Sequence, residues 1–477
     1  MECLLLSWKV LREYTHGVLP VSSVELWAMT RYFPLLLLGL AAPVTAMPVT
    51  VALCPENGAV PAAVFSQHYF AVDGQPRQLL VLAGQPQLAE CKTAVVETGA
   101  AAVAWAGLLP AEQRGNRLHY VALQGKFSAS STQVSEIIGG NASEKGAAAP
   151  APAASPPRGF ASNSPDRTAW LWSPALWQDT PEQVWQLQTQ QHLRAIYVTV
   201  PVNADSEVEN PEVLATFISA ASARNLQVWA VIGDPRDVLS ESRGALQSRL
   251  EAYLLYNQAA VPEARLKGVQ LDIEPYLLPG FGLAQSHWRD SYLGVVAFAH
   301  ELLAKQLALD LVVPAWWGTH ADWNEQLLNA LPVQNVSLTV MNYQTDAVRL
   351  RQAAVPFLQF GQRTGMPVRM ALETGRLADE TRRYYAGNAR IGELWLLNVQ
   401  GAEVLLLLAV KVSGLPGQAF SFGEETVVAA SATTFAGDLL HLSDVADEVE
   451  SQWASWPSFA GIALHGLEET LATGEKQ

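Results

Sequence analysis

Cysteine is scarce in this chain of 477 residues, which contains only three. Cys3 lies at the very start, and Cys54 and Cys91 are the other two. Beyond residue 91 a cysteine nucleophile and a cysteine-based zinc site are therefore excluded. An exported protein with two remaining cysteines often pairs them, but spacing alone leaves Cys54 and Cys91 either free or joined.

Basic residues are also few: 30 Lys and Arg stand against 45 Asp and Glu, which gives a formal net charge of −15. Nucleic-acid binding needs basic patches that neutralise phosphates, so this balance argues against a nucleic-acid partner. Tryptophan, in contrast, is abundant, with 15 residues. Indole rings fill protein cores, and they also stack on flat apolar faces of ligands.

Apolar runs long enough to suggest a targeting segment are confined to the start of the chain. Arg31 precedes an apolar run at 34–43, and small residues follow at 44–46. This layout is typical of a secretory signal, and the run is too short to span a bilayer. We therefore predict a leader and signal peptide over residues 1–46. The mature protein is expected to be exported, periplasmic or extracellular, without a transmembrane segment.

Short apolar runs separated by turn residues occupy residues 47–137. They predict a small β-rich or α+β N-terminal accessory domain, to which we assign no chemistry. Residues 138–165 are rich in Ala, Pro and Gly. This composition predicts an extended linker, so that the folded parts on either side move independently.

From residue 166 to 477, strand-like runs alternate with helix-like ones. The eight predicted strands lie at 168–172, 193–200, 226–232, 268–274, 309–315, 336–343, 367–373 and 459–465. Eight such units indicate a (β/α)8 TIM barrel. A doubly wound sheet is the alternative, but no G-x-G-x-x-G follows the first strand. The long interval after strand seven predicts a β-rich insertion over about residues 378–445, on the face where barrels place active sites.

The candidate site is formed by residues at the C-terminal ends of these strands. In the fourth strand, Asp272 and Glu274 are two residues apart and should face the same way, and Pro275 should end the strand. Aromatic, amide and acidic residues follow the other strands, which suits a neutral polyhydroxylated ligand. The catalytic candidates are Glu274, Asp272, Glu373 and Tyr343, and the substrate-binding candidates are Trp172, Trp316, Trp317, Asn342 and His465.

Each candidate also has a structural interpretation. The aromatic residues could equally fill the core, because tryptophan and tyrosine bury large apolar areas. Glu373 could cap a loop, and an isolated Asp-x-Glu pair is a common false positive. A metal site would need tighter clustering of ligands than the histidines offer, so no metal and no cofactor are expected.

The strand-four segment resembles that of chitinase-like (β/α)8 glycoside hydrolases, whose motif reads D-G-x-D-x-D-x-E. The matching positions, including the strand-six Met-x-Tyr of that family, are Gly268, Asp272, Glu274, Met341 and Tyr343. The positions where the family has Asp but this chain does not are Lys267, Gln270 and Gln344. The resemblance implies that Glu274 is the general acid. It also implies that an acetamido group of the substrate attacks, steadied by Asp272 and Tyr343.

A second resemblance competes with the first. Glu274-Pro275 is similar to the Asn-Glu-Pro end of strand four in the large retaining clan of (β/α)8 glycoside hydrolases, although Ile273 replaces the Asn. Glu373 and the Thr-Gly that follows it then resemble the strand-seven nucleophile of that clan. This resemblance implies that Glu373 attacks the sugar and forms a covalent intermediate.

Both resemblances lead to one functional prediction. We expect an exported glycoside hydrolase-like protein that cleaves or binds an oligo- or polysaccharide, with Glu274 as general acid. The charge of Asp272 beside it should raise the pKa of Glu274, which suits an acid at neutral pH. Two alternatives remain open: a catalytically inactive carbohydrate-binding barrel, or a cell-envelope scaffold that binds a protein partner through its N-terminal domain.

Overall fold

The computed structural model describes residues 48–55, 64–72, 75–98, 102–109, 118–127, 132–140, 167–278, 285–303, 306–319 and 326–472. The predicted leader and most of the predicted linker lie outside these residues. Among the helices within these ranges, none is long and apolar enough to cross a membrane.

The N-terminal region is built of antiparallel strands. In chain order they are β1 (Val49–Pro55), β2 (Val64–Val72), β3 (Gln75–Ala83), β4 (Lys92–Val96), β5 (Val103–Leu108), β6 (Tyr120–Phe127) and β7 (Thr132–Gly140). Four of them form a sheet in the order β2-β3-β1-β4. β1 is buried along almost its whole length because both of its faces pack in apolar clusters. Cys54 and Cys91 form a disulfide in the smaller cluster.

The next seven strands are parallel. They are β8 (Arg167–Leu171), β9 (Leu193–Val198), β10 (Gln227–Ile232), β11 (Gly268–Leu271), β12 (Ala308–Pro314), β13 (Val336–Met341) and β14 (Val368–Glu373). Every residue of β11 and of β13 is buried, as expected of strands covered on both faces.

An insertion of four antiparallel strands follows β14. They are β15 (Glu380–Ala389), β16 (Ile391–Val399), β17 (Ala402–Ser413) and β18 (Gln418–Val428). These strands pair with the N-terminal region in a seven-stranded sheet of order β5-β17-β16-β18-β15-β6-β7. A β-rich insertion after strand seven was predicted and is confirmed. Its partners were not predicted, and the N-terminal strands are hydrogen-bonded to it. The domain boundaries themselves stay a prediction.

The chain returns to the barrel through β19 (Phe459–His465), which pairs with β14 and β8 and closes the ring. The barrel order is β8 to β14 and then β19, which confirms the predicted (β/α)8 fold. The α-helices are α1 (Pro174–Gln178), α2 (Pro181–Gln191), α3 (Pro211–Ser222), α4 (Arg243–Ala259), α5 (Gln285–Leu303), α6 (Trp316–Thr319), α7 (Ala347–Thr364), α8 (Leu439–Trp453) and α9 (Glu469–Ala472).

The insertion is fastened at the C-terminal end of the barrel strands. On the returning segment, the N–H of Phe435 donates to the carbonyl oxygen of Glu373, at 2.9 Å. The hydroxyl of Thr434 donates to the carbonyl oxygen of Gly375, at 2.5 Å, and Thr345 bonds the carbonyl oxygen of Ser431, at 2.7 Å. The insertion therefore begins and ends beside the predicted site.

Candidate active site

The two acids of the fourth barrel strand lie just beyond its end. β11 ends at Leu271, three residues earlier than predicted. The N–H of Asp272 still bonds the carbonyl oxygen of Ile232, at 2.7 Å, so the backbone keeps its course for one more residue. After Glu274 the chain enters a 3₁₀ turn, Pro275–Leu277, because Pro275 has no N–H to continue the ladder.

Asp272 is a buried carboxylic acid with an unused acceptor. Its side chain is 5% exposed, and its Oδ1 meets no hydrogen-bond partner among the residues that the structure describes. Burial, and then the charges of Glu274 and Asp310, raise the pKa of Asp272 well above its usual value. Asp272 is therefore poised to accept a hydrogen bond from a ligand.

Glu274 is half-buried and accepts a hydrogen bond on Oε1 from the hydroxyl of Tyr276. Burial raises the pKa of Glu274, and the bond from Tyr276 offsets this only in part. Burial and the charge of Glu274 also raise the pKa of Tyr276 well above its usual value, so its hydroxyl remains a donor. Glu274 thus has the raised pKa that a general acid needs.

Tyr276 is a site residue that sequence reasoning missed. Besides its bond to Glu274, its hydroxyl lies 3.9 Å from the sulfur of Met341, and its ring meets the edge of Trp316 at 6.0 Å. The signal in the sequence was its place two residues after the acid. A turn opened by Pro275 brings the tyrosine back over the strand end.

A second group of predicted residues forms a hydrogen-bonded chain on the other side of the barrel. Glu373, at the end of β14, accepts a bond on Oε1 from the N–H of Gly375, at 2.7 Å. Its Oε2 lies 2.7 Å from Nδ1 of His465, at the end of β19. The indole N–H of Trp172, just after β8, donates to Nε2 of His465 at 3.0 Å.

The two groups face one another. The ring of Tyr343 stacks on His465, with centroids 5.9 Å apart and planes 29° apart. Tyr276, which bonds Glu274, and Tyr343 both pack against the apolar cluster that contains Trp172. The structure therefore brings together Glu274, Asp272, Glu373, Tyr343, Trp172 and His465, with Trp316 beside Tyr276.

Two predicted substrate-binding residues do not line this space. Trp317 is fully buried in the core, with its ring against Tyr292 at 5.1 Å, whereas Trp316 is half-exposed. Consecutive residues on a helix point about 100° apart, so only one of the two can face the mouth. Asn342 is also fully buried, and its Nδ2 donates to the carbonyl oxygen of Leu350, at 2.8 Å, which ties it to α7.

Below the mouth, the barrel interior holds a buried acid that the sequence did not single out. Asp310 on β12 is fully buried and accepts hydrogen bonds from Gln270 at 2.7 Å, from Thr339 at 2.7 Å and from Ser337. Gln270 occupies a position where the chitinase-like motif has Asp. A carboxylate is thus present at this level, but it comes from the neighbouring strand.

The described residues contain no cluster of three or more His, Cys, Asp or Glu side chains that could hold a metal ion. His320, the other histidine near a strand end, lies outside these residues. The site is thus a set of carboxyl, aromatic and imidazole groups at the C-terminal mouth of a (β/α)8 barrel, the layout of barrel enzymes.

No family model and no curated protein matches the chain. Among solved structures it is similar to the spore cortex-lytic enzyme SleL of Bacillus cereus, with 12% identity over 65% of this chain and 72% of that one, at a TM-score of 0.35. It is also similar to a glycoside hydrolase family 18 N-acetylglucosaminidase from Paenibacillus barengoltzii (12%, 63% and 94%, TM-score 0.31). A third is the tryptophan synthase α subunit of Legionella pneumophila (11%, 45% and 74%, TM-score 0.26). The similar structures include chitinase-like barrels, the class that the motifs resemble. Likenesses this distant carry no argument about activity, which has to rest on the residues of this chain.

Proposed function

We propose that this protein is a glycoside hydrolase that acts on an oligo- or polysaccharide at the barrel mouth, with Glu274 as general acid. The observation that carries the proposal is the pair of acids beyond β11. Burial raises the pKa of both Asp272 and Glu274, and the aromatic rings of Trp172, Trp316 and Tyr343 lie around them. A protonated carboxyl beside stacking surfaces is what glycosidic cleavage requires.

In this mechanism Glu274 donates its proton to the glycosidic oxygen as the bond to the leaving sugar breaks. The positive charge that develops on the sugar needs a nucleophile or an acceptor close by. Asp272 offers Oδ1, which no described protein group uses. An acetamido N–H of the substrate would satisfy it, as the chitinase-like resemblance implies. N-acetylated β-linked sugars are therefore the first substrates to test.

We also propose that the protein is exported. The signal-like layout of residues 1–46 supports this. The disulfide between Cys54 and Cys91 supports it as well, because such bonds persist in oxidising compartments and are rare in the cytosol. Trapping the mature N-terminus by mass spectrometry of secreted material tests the proposal, and a cytosolic product that still begins at residue 1 would contradict it.

A carbohydrate-binding barrel without catalysis is the second candidate. One oxygen of Glu274 is occupied by Tyr276, and both oxygens of Glu373 are engaged by Gly375 and His465. These bonds leave the site well suited to hold a sugar, with fewer free groups for chemistry.

Hydrolysis of a panel of oligosaccharides, led by β-linked N-acetylglucosamine oligomers, separates the two candidates. The substitution Glu274→Gln keeps the shape of the side chain but removes its proton donor. We expect it to reduce kcat by about 10²–10⁴-fold. The exposed helical residue Glu301 provides a matched control, Glu301→Gln. Binding without cleavage that survives Glu274→Gln would support the binding barrel, and neither binding nor cleavage would refute both.

A further inference from the structure

The chain of bonds from Gly375 through Glu373 and His465 to Trp172 fixes the protonation of the imidazole. An indole N–H can only donate, so Nε2 of His465 must accept from Trp172 and carries no proton. Nδ1 then carries the proton of the neutral ring and donates it to Oε2 of Glu373. The network thus assigns His465 the neutral Nδ1–H form.

Glu373 is placed to support this arrangement more than to react. Its side chain is 2% exposed, and one oxygen accepts from His465 and the other from Gly375. The backbone of Gly466 also packs closely against this carboxylate. Its φ is +73°, and a Cβ added there would lie 2.6 Å from Oε1 of Glu373. A nucleophilic oxygen has to reach the anomeric carbon, and this geometry directs both oxygens into the protein.

The imidazole, in contrast, contacts the rings of the mouth. It stacks on Tyr343, and Trp172 and Trp170 meet it edge-on at 6.1 and 5.6 Å. Any rotation of the His465 ring therefore moves the surfaces against which a sugar would lie.

We propose that Glu373 is a positioning residue that acts through His465: it orients the imidazole, which in turn holds Trp172 and Tyr343 at the substrate-binding mouth. This inference rests on the proposed function for its kinetic consequences, and its structural part stands without it. It also decides between the two resemblances in the sequence, because Glu373 is then not the covalent nucleophile.

The first test is nitrogen NMR of ¹⁵N-histidine-labelled protein, in which His465→Gln identifies the signals of the ring. The expected spectrum has a proton on Nδ1 and none on Nε2. Glu373→Ala should redistribute the proton between the two nitrogens, whereas Glu373→Gln, which keeps an acceptor oxygen, should restore the original pattern. The exposed residue His119 provides a control, since His119→Gln should leave these signals unchanged. A proton on Nε2 in the wild type, or no change in Glu373→Ala, overturns the proposal.

The second test is kinetic, on the oligosaccharide that the panel identifies. Loss of one positioning hydrogen bond should raise KM by about tenfold in Glu373→Ala with a smaller fall in kcat, and Glu373→Gln should recover most of it. Trp172→Phe should raise KM similarly. Trp177→Phe, which removes a buried indole bond to the carbonyl oxygen of Thr199, should not.

The proposal is overturned if Glu373 behaves as a nucleophile. Both Glu373→Ala and Glu373→Gln would then lose kcat by more than about 10⁴-fold at unchanged KM, and a fluorinated sugar inactivator would label Glu373. If the wild type cleaves none of the sugars, the proposed activity fails. The imidazole spectra then decide the positioning role by themselves.

Discussion

Asp272 and Glu274 are unfavourable to the stability of the barrel and favourable to its proposed chemistry. Burial raises the pKa of both acids, and the Oδ1 atom of the buried Asp272 finds no described partner. A buried acceptor without a partner costs about 1–3 kcal/mol, and an ionised one costs more. Such a cost is common where a site is prepared for a ligand that supplies the missing bond.

The cost of Asp272 should depend on pH with a definite sign. Its pKa is raised in the folded protein, so the folded state holds its proton more tightly than the unfolded chain. The bound proton therefore stabilises the folded state. This stabilisation is fully present below the unfolded pKa of about 3.9 and is lost as the pH rises through the folded pKa of Asp272. Asp272→Asn removes this dependence. We expect its Tm, relative to wild type, to rise by at least about 2 °C between roughly pH 4.5 and 8.

Differential scanning calorimetry at several pH values measures this difference. The exposed helical residue Asp444 supplies the control, because Asp444→Asn makes the same chemical change outside the site. A difference in Tm that stays flat across the pH range would show that burial does not perturb Asp272.

Tyr276 should influence the upper pH limit of activity through its effect on the pKa of Glu274. Its hydroxyl donates to Glu274 and favours the carboxylate, so this bond lowers the pKa of Glu274 against the effect of burial. In Tyr276→Phe the pKa of Glu274 should therefore rise, and the alkaline limb of kcat/KM should move up by about half to one pH unit. Carbon NMR of labelled Glu274 reads the same shift without turnover.

Tyr256→Phe serves as the matched variant for Tyr276→Phe. It removes another buried tyrosine bond, to the carbonyl oxygen of Ala264 at 2.9 Å. Its pH profile should remain that of the wild type. If the alkaline limb of Tyr276→Phe moved to lower pH, the assignment of Tyr276 as a donor to Glu274 would be wrong.

The fourth barrel strand requires a glycine at its first position because residues of the neighbouring strands leave no space for a side chain there. Gly268 begins β11 and pairs with Ala308 on β12. A Cβ at this position would lie 2.3 Å from the ring of Trp229 and 2.4 Å from the carbonyl oxygen of Ala308. The strand can therefore pack between its neighbours only without a side chain here.

Gly268→Ala should consequently destabilise the barrel by about 1–3 kcal/mol, because the strand or the Trp229 ring has to move. Gly244, near the start of α4, is exposed and meets nothing within 4 Å. Gly244→Ala should stabilise the protein by about 0.4–1 kcal/mol, because it reduces the freedom of the unfolded chain. Urea denaturation of the two variants should give shifts of opposite sign, and a shift of the same sign in both would contradict this account.

The barrel elements were predictable from the sequence because their partners are local. β8 to β13 each pair with the next strand along the chain, so alternating strand and helix patterns fix their order. The positions of individual side chains were less predictable. The buried Trp317 and the half-exposed Trp316 differ only by the rotation of a short helix. The position of the Tyr276 side chain depends on the turn at Pro275–Leu277. Sequence patterns predict where this turn lies but not the direction in which it points the side chain.

The seven-stranded sheet could not be predicted for a different physical reason. Its pairs join segments that are distant along the chain: Tyr385 on β15, for example, pairs with Val121 on β6. Nothing in either segment specifies the other, since each shows only the alternation of a half-buried strand. The sequence alone therefore predicts an N-terminal accessory domain that is separate from the barrel.

This shared sheet predicts that the N-terminal strands stay attached to the barrel when the covalent link between them is cut. β5 pairs with β17 and β6 with β15, and residues from both segments form one apolar core. The disulfide lies wholly within the N-terminal part, so it does not hold the two pieces together. A protease site inserted after Ala153 should thus yield two fragments that separate on a denaturing gel. In native gel filtration they should elute together, and in about 6 M guanidinium they should part. Separation under native conditions would mean that the sheet does not hold the fragments and that the N-terminal region is independent of the barrel.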